Sequence, residues 1–162
     1  GDGLDSNGSI EIAGGVVIVH GPASGGNGPL DHQGTFNVNG GILIAAGTSS
    51  MPEPPSQSSS QNCIDARMSS QKAGTLVNLQ TSSGETILTF APAVSFGMIV
   101  ISSPELTSDR TYNLYYGGSV SGGTSTEGLY ENEKYTAGTS LGQNISLSSR
   151  ITQVGTSGGG RW

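Results

Sequence analysis

Oxygen-bearing side chains cluster in the first residues of the chain, GDGLDSNG. Asp2, Asp5 and Asn7 surround a glycine-rich turn, and Ca²⁺ prefers such carboxylate and amide oxygens. A weaker copy of this corner, GPLDHQG, carries Asp31 at the position of Asp5. If the copies stack about 4.8 Å apart, as neighbouring strands do, the adjacent carboxylates repel unless a proton or cation lies between them. The pattern predicts a structural Ca²⁺ site formed by Asp2, Asp5, Asn7 and Asp31. The alternative is that turn amides donate hydrogen bonds to the Asp side chains.

The tyrosines form a second group of candidate residues. An exposed aromatic ring can cover the C–H face of a pyranose while nearby carboxylates and amides bond its hydroxyls. In TYNLYYGG, strand alternation places Tyr112 and Tyr116 on one face and Tyr115 on the other. Tyr130 and Tyr135 flank the acidic segment ENEK. These five tyrosines are the predicted carbohydrate-binding residues, and the alternative is that most of them are core or rim residues of a β-domain.

Catalytic patterns are weak in this sequence. GTSLG and GTSGG fit G-x-S-x-G, but a nucleophile of that type needs a strand-to-helix turn, and both motifs lie in Ser/Gly/Thr-rich stretches. His20 and His32 lack a nearby nucleophile or metal-ligand spacing and are interpreted as surface residues. A lyase of the solenoid type needs a Lys or Arg base, and residues 1–47 contain neither. Cys63 is the only cysteine, which excludes an internal disulfide. We therefore predict no catalytic residues.

The elements that position the acidic corners form a repeat with an offset of 26 residues. Each unit contains a corner, a strand, a Gly-Gly turn, a second strand and a final Gly, as in IEIAGGVVIV and FNVNGGILIA. A period of this length with glycines at fixed corners is typical of a parallel β-solenoid, in which successive coils stack. The second strands, residues 16–19 and 42–45, are apolar on both faces. Their outer face should therefore be covered by the later part of the chain.

The remaining sequence predicts a β-rich cap on these coils. We divide the chain into β-helix coils at 1–47, a Pro/Ser-rich connection at 48–61, a cap at 62–154 and a Gly-rich tail at 155–162 that is expected to be disordered. Strand-like runs recur through the cap, and no long stretch has a helical period. The predicted fold is all-β, with parallel β-helix coils followed by an antiparallel cap or small sandwich.

Composition excludes some partners. The net charge is −6 and only six residues are Lys or Arg, so the basic surface that nucleic acid requires is missing. No apolar run reaches membrane-spanning length, so no membrane insertion is expected. Two coils are fewer than a stable solenoid needs. We therefore expect either missing N-terminal coils before Gly1 or a homo-oligomer that pairs through the open coil end.

The order of motifs resembles a known family. GDGLDSNGSIEIAGGVVIVHG, FNVNGGILIAAG, QKAGTLVNLQ, GETILTFAPA and TYNLYYGG together look like the C-terminal part of secreted clostridial carbohydrate-binding domain-containing proteins. The resemblance covers nearly the whole chain. It implies a right-handed parallel β-helix similar to that of polysaccharide lyases, Ca²⁺ bound through Asp-rich turns, and binding of cellulose or pectin-like polymers without catalysis.

These observations predict a secreted, non-catalytic polysaccharide-binding module that is stabilised by calcium. The first alternative is a structural surface protein that assembles into filaments through end-to-end solenoid contacts, because such contacts do not close. A weaker alternative is a fragment of a lyase-like enzyme.

Overall fold

The structure is a computed structural model that describes residues 4–21, 30–48 and 54–155. These residues form strands and turns without a helix, which confirms the all-β class. The strands are β1 (Leu4–Ser6), β2 (Ile10–Ile12), β3 (Val16–His20), β4 (Leu30–His32), β5 (Phe36–Val38), β6 (Ile42–Gly47), β7 (Cys63–Gln71), β8 (Val77–Thr81), β9 (Thr86–Phe90), β10 (Phe96–Ser102), β11 (Thr111–Tyr116), β12 (Ser119–Ser121), β13 (Thr124–Thr126), β14 (Leu129–Glu131), β15 (Lys134–Thr136), β16 (Thr139–Ser146) and β17 (Ile151–Gly155).

The sequence repeat is also a structural repeat. We call residues 4–21 repeat 1 and residues 30–47 repeat 2. Strands β1, β2 and β3 of repeat 1 pair in parallel with β4, β5 and β6 of repeat 2. Leu4 is the partner of Leu30, and the other two pairs keep the same offset of 26 residues. Aligning the two repeats at an offset of 26 residues therefore predicts the correct strand register.

The predicted parallel β-helix is not shown by the described residues, whose sheets are mostly antiparallel. The position of a third coil is occupied by later parts of the chain. Strand β10 pairs antiparallel with the free edge of β6, while Ser56 and Gln61 donate backbone hydrogen bonds to the carbonyls of Phe36 and Val38 in β5. The parallel stack therefore ends after two repeats on this side.

Two large sheets pack face to face, and one of them contains β3 and β6 of the repeats. The five-stranded sheet has the order β17-β7-β10-β6-β3, so it includes strands from both sides of the connection at 48–61. The six-stranded sheet has the order β13-β14-β9-β8-β11-β16. Ile44 and partly buried Ile18 and Ile42 pack in the core between these sheets. The later chain thus covers the outer face of the repeat strands as expected, except at Val16, which is 57% exposed.

The five-stranded sheet has a second core on its other face. Leu43 of β6 and Met98 and Val100 of β10 pack there with Phe36 and Val38 of repeat 2. The alternate residues of β10 face the core between the two large sheets. Every residue of β10 is consequently buried, which explains why the run FGMIVIS has no polar alternation.

Close stacking of the repeats requires glycine at the turn of repeat 2. An ideal Cβ on Gly40 would overlap the carbonyl oxygen of Ala13 and lie 3.1 Å from its carbonyl carbon. Gly41 has a φ of 73°, and a Cβ there would lie 2.5 Å from the carbonyl oxygen of Gly15. Position 40 is therefore restricted by the neighbouring backbone, and position 41 by both the backbone and its own conformation.

Replacing Gly40 tests this packing. We expect Gly40→Ala to lower the free energy of unfolding by about 1–3 kcal/mol, because the new methyl group forces the two backbones apart. Gly14→Ala is the matched control, since no atom lies within 4 Å of the added Cβ. Its effect should stay within about 0.5 kcal/mol. Urea denaturation measures both, and equal losses would show that the repeats do not pack in this register.

Candidate functional site

The six-stranded sheet carries polar side chains on the face opposite its core. Val77 and Leu79 point into the core, so the alternate residues Asn78 and Gln80 of β8 lie on the other face. We call this surface the amide face, and its members are Asn78, Gln80, Thr86, Thr89, Asn113, Tyr115 and Gln143. Strand register connects six of them in two rows, Thr89 to Asn78 to Tyr115 and Thr86 to Gln80 to Asn113.

Hydrogen bonds fix the amides of this face. The Asn78 amide donates to the Thr89 hydroxyl at 2.8 Å, and the Gln80 amide donates to the Asn78 side-chain oxygen at 2.8 Å. Asn78 and Thr89 are fully buried although they point away from the core. A buried polar pair with satisfied hydrogen bonds is rigid and stabilising, whereas the loss of one partner is costly. The inner part of the amide face is therefore held in one arrangement.

Tyr135 covers the edge of the amide face. Its ring packs on Tyr115 with 6.4 Å between ring centroids, which places β15 on this side of the sheet. The Tyr135 hydroxyl donates to the Gly117 carbonyl at 2.7 Å and accepts from the Gly138 amide at 3.2 Å. Burial raises the pKa of Tyr135 above its usual value. The hydrogen bond from the Gly138 amide lowers this pKa in part, and the nearby Tyr115 raises it further. Tyr135 therefore remains a neutral hydrogen-bonding group.

A polar groove borders the amide face at β9. Strand β14 pairs with β9 in register only at Leu129 and Phe90, and a gap opens between the two strands on the side towards Thr86. The gap between them is a groove of about 450 Å³. We call it the β14 groove, and its lining residues are Thr86, Ile87, Leu88, Tyr130, Glu131, Asn132 and Glu133. Thr86 belongs to both surfaces, so the groove continues into the amide face.

The turn after β14 determines the chemistry of the groove. Asn132 has a left-handed φ of 59°, which Asn tolerates better than most residues, and it separates the carboxylates of Glu131 and Glu133. Glu131 also lines two adjoining recesses of about 170 and 290 Å³, one beside Ile42 and one beside Val16. The groove is thus an extended, acidic depression with one partly exposed tyrosine ring, that of Tyr130.

The predicted tyrosines do not form one platform. Tyr112 is fully buried, so its expected role in sugar contact is corrected to a core role. Its hydroxyl donates to the Glu105 carbonyl at 2.9 Å and accepts from the Thr107 amide at 2.8 Å. Tyr116 packs partly buried against the same core. Tyr115 and Tyr135 meet on the amide face, and Tyr130 lies separately in the β14 groove.

The acidic corners lie mostly outside the described side chains. Asp2 is outside the described residues altogether. For Asp5 and Asp31 only the backbone is described, and their Cα atoms are direct partners in the β1–β4 pair, as the repeat predicts. Asn7 is exposed, and the Ser6 hydroxyl beside it accepts a hydrogen bond from the Gly8 amide. Among the side chains that are described, no cluster of three or more His, Cys, Asp or Glu residues could hold a metal ion.

Both histidines are partly exposed, and both also have structural contacts. The His20 ring stacks on Phe90 at 5.3 Å and accepts a hydrogen bond from the Ala93 amide at Nδ1. Its Nε2 therefore carries the proton and donates to the Glu127 carbonyl. The His32 ring contacts Phe36 edge to face. Cys63 is buried, and burial raises the pKa of its thiol to about 11, so the thiolate form that reacts is suppressed.

Sequence reasoning missed the amides of the outer face. Their signal is the alternation of apolar residues and amides in VNLQT and YNLY, where the amides occupy positions that a two-sided buried strand would leave apolar. The two strands are far apart in sequence, and their pairing cannot be read from a local pattern. The amide face therefore became visible only with the register of β8 and β11.

Comparison with known proteins gives no relative for this chain. No family model, curated protein or solved structure matches it. Within the described ranges there is also no helix that is long and apolar enough to cross a membrane.

Replacing Tyr112 with Phe tests its core role. The change leaves the Thr107 amide and the Glu105 carbonyl without their partner, so we expect a loss of about 1–3 kcal/mol in the free energy of unfolding. Tyr115→Phe is the control, because its hydroxyl has only a long contact of 3.5 Å with the Gln143 amide. Thermal or urea unfolding gives both values. A loss at Tyr115 as large as at Tyr112 would contradict this assignment.

Proposed function

We propose that the protein is a non-catalytic polysaccharide-binding module whose ligand lies in the β14 groove and extends over the adjoining amide face. The observation that carries this proposal is the partly exposed ring of Tyr130 beside Glu131, Asn132 and Glu133 in one groove of about 450 Å³. A sugar needs this combination, because its C–H face packs on an aromatic ring while its hydroxyls donate to carboxylates and accept from amides.

The shape of the site favours a polymer over a single sugar. The groove adjoins two further recesses through Glu131 and meets the amide face at Thr86, so several sugar units can contact one continuous surface. The hydrogen bonds among Asn78, Thr89 and Gln80 hold part of this surface before a ligand binds. Preorganisation of this kind reduces the entropy lost on binding.

The charge of the site favours a neutral polymer. Glu131 and Glu133 line the groove, and the whole chain has a net charge of −6. A pectin-like polyuronate would bring further negative charge into an acidic depression and would be repelled. Of the two polymer classes that the sequence suggested, the cellulose-like neutral glucan therefore fits the groove better. The resemblance to secreted clostridial carbohydrate-binding proteins agrees with this proposal and adds an extracellular location to it.

Binding to neutral glucans tests the proposal. Depletion on insoluble cellulose and affinity electrophoresis in soluble β-glucan should both show retention of the protein, with weaker retention in polygalacturonate. Tyr130→Ala should weaken binding by about tenfold, equivalent to about 1.4 kcal/mol, because the stacking surface is lost. Tyr130→Phe keeps the ring and should bind nearly as well as the parent protein.

A second pair of variants controls for charge. Glu131→Gln removes a carboxylate from the groove, whereas Glu85→Gln removes one that is exposed and paired with Arg110 outside it. Only the first should change glucan affinity. If neither Tyr130→Ala nor Glu131→Gln changes retention, the ligand binds at a different site. Absence of retention on every neutral and acidic polymer would refute the proposed function.

We also propose that the two repeats are coils of a parallel β-helix stabilised by Ca²⁺ at the acidic corners. The support is the sequence pattern together with the parallel register that makes Asp5 and Asp31 backbone partners. Two carboxylates at neighbouring positions of stacked strands repel each other, and a bridging divalent cation removes the repulsion.

Thermal unfolding with Ca²⁺ and with EDTA tests the cation. A native-state site stabilises the protein by about 2.7 kcal/mol when free Ca²⁺ is about 100 times its Kd, so Ca²⁺ should raise Tm. Asp5→Asn should abolish the increase, and Mg²⁺ at the same concentration is the control for ionic strength. If Tm is the same with Ca²⁺ and with EDTA, the acidic corners are turn residues only.

A further inference from the structure

Equivalent positions of the two repeats differ in burial. Phe36, Leu43 and Ala45 of repeat 2 are fully buried, whereas their counterparts Ile10, Val17 and Val19 in repeat 1 are only partly buried. All six side chains point into the same core. Among the residues that the structure describes, repeat 2 is covered by repeat 1 on one side and by β10 and residues 56–61 on the other, whereas the strands of repeat 1 pair only with those of repeat 2. One end of this core is therefore not covered by any described strand.

The glycines of repeat 1 carry a second, independent signal. Gly40 is required because a Cβ would overlap the backbone of repeat 1, and Gly34 has a backbone carbon of repeat 1 only 3.1 Å from its ideal Cβ. The equivalent residues, Gly14 and Gly8, have no positive φ and no backbone atom within 4 Å of an ideal Cβ. Nothing within the described chain requires glycine there. A further repeat stacked on repeat 1 would require glycine at both positions, because its backbone would approach them as repeat 1 approaches Gly34 and Gly40.

The open edge is only partly protected against strand pairing, because β1 and β2 are three residues long and carry Asp5 and Glu11, whereas the longer β3 has no such protection. Natural edge strands carry Lys, Pro or bulges that block the approach of another strand. Strand β3 has the sequence VVIVH and β2 has IEI, with neither Lys nor Pro. The opposite end of the stack is, by contrast, closed by the segment that starts with Pro54 and Pro55 and by β10.

We propose that β1, β2 and β3 form a docking edge for one further 26-residue β-repeat presented by a partner polypeptide. The incoming repeat adds a parallel strand to each of these strands in the register that relates repeat 1 to repeat 2. Its backbone approaches Gly14 as Ala13 approaches Gly40, and it covers Ile10, Val17 and Val19. This proposal is independent of glucan binding, because the docking strands and the Tyr130 ring are different surfaces.

A second copy of this chain does not fit the same edge. For a second copy to stack in parallel, the edge of its repeat 2 that faces away from repeat 1 would have to be free. In this chain that edge is hydrogen-bonded to β10, Ser56 and Gln61. Two copies that met through their β3 edges around a two-fold axis would pair antiparallel, which does not reproduce the approach to Gly14. The end-to-end filament that the sequence offered as an alternative therefore lacks a complementary surface at the second end of the described repeats.

The test supplies the repeat covalently, at high effective concentration. A copy of residues 1–26 is fused in front of Gly1 of the full chain, and Tm is compared with that of the parent protein and of a fusion with the same residues scrambled. The intact fusion should raise Tm by about 5 °C, because it buries the open end of the core. The scrambled fusion should leave Tm unchanged.

Gly14→Ala then reports whether the added repeat stacks in the proposed register. It should be neutral in the parent protein but should lower Tm of the fusion by about 4 °C. Alanine at the corresponding glycine of the added copy, which lies at the new open edge, is the matched control and should be neutral. If Tm does not rise and Gly14→Ala is neutral in both proteins, the docking edge is refuted. Concentration-dependent dimers of the parent that Val16→Lys abolishes would also overturn it, in favour of a second copy.

Discussion

Burial of the five-stranded sheet on both faces is the constraint on which the rest of the structure depends. Strand β10 contributes alternate residues to two cores, one shared with the six-stranded sheet and one shared with the repeats. Neither core is complete without the other layer, because each repeat alone cannot cover its inner face. The repeats and the later chain therefore stabilise each other through a common sheet, in which β6 pairs with β10 and β7 pairs with β17.

This arrangement leaves the candidate functional surfaces on the six-stranded sheet. The six-stranded sheet uses one face for the core, so its other face can carry amides and hydroxyls without weakening the packing. The β14 groove has a similar origin, because β14 leaves β9 after a single register pair and the turn at Asn132 directs carboxylates into the gap. The site proposed for glucan is thus a consequence of how β14 ends its pairing with the six-stranded sheet.

The sequence predicted what is local or repeated. The offset of 26 residues gave the register of β1–β4, β2–β5 and β3–β6, and the apolar run ILIA correctly required a cover on its outer face. Pairing between distant strands was not predictable, since no local pattern says that β10 joins β6. Tyr112 shows the same limit, because the alternation that placed it on one face with Tyr116 does not say which face is the core. The groove depends on where two strands separate, which a periodic pattern does not record.

Native-state hydrogen exchange tests most directly the claim that the repeats and the sandwich form one cooperative unit. Amide exchange in β6 and β10 should require the same free energy of opening, close to that of global unfolding, because the two strands share both cores. Exchange of the β6 amides at a clearly lower free energy than those of β7 and β10 would contradict the account. The repeats would then be a separate layer that unfolds while the sandwich remains intact.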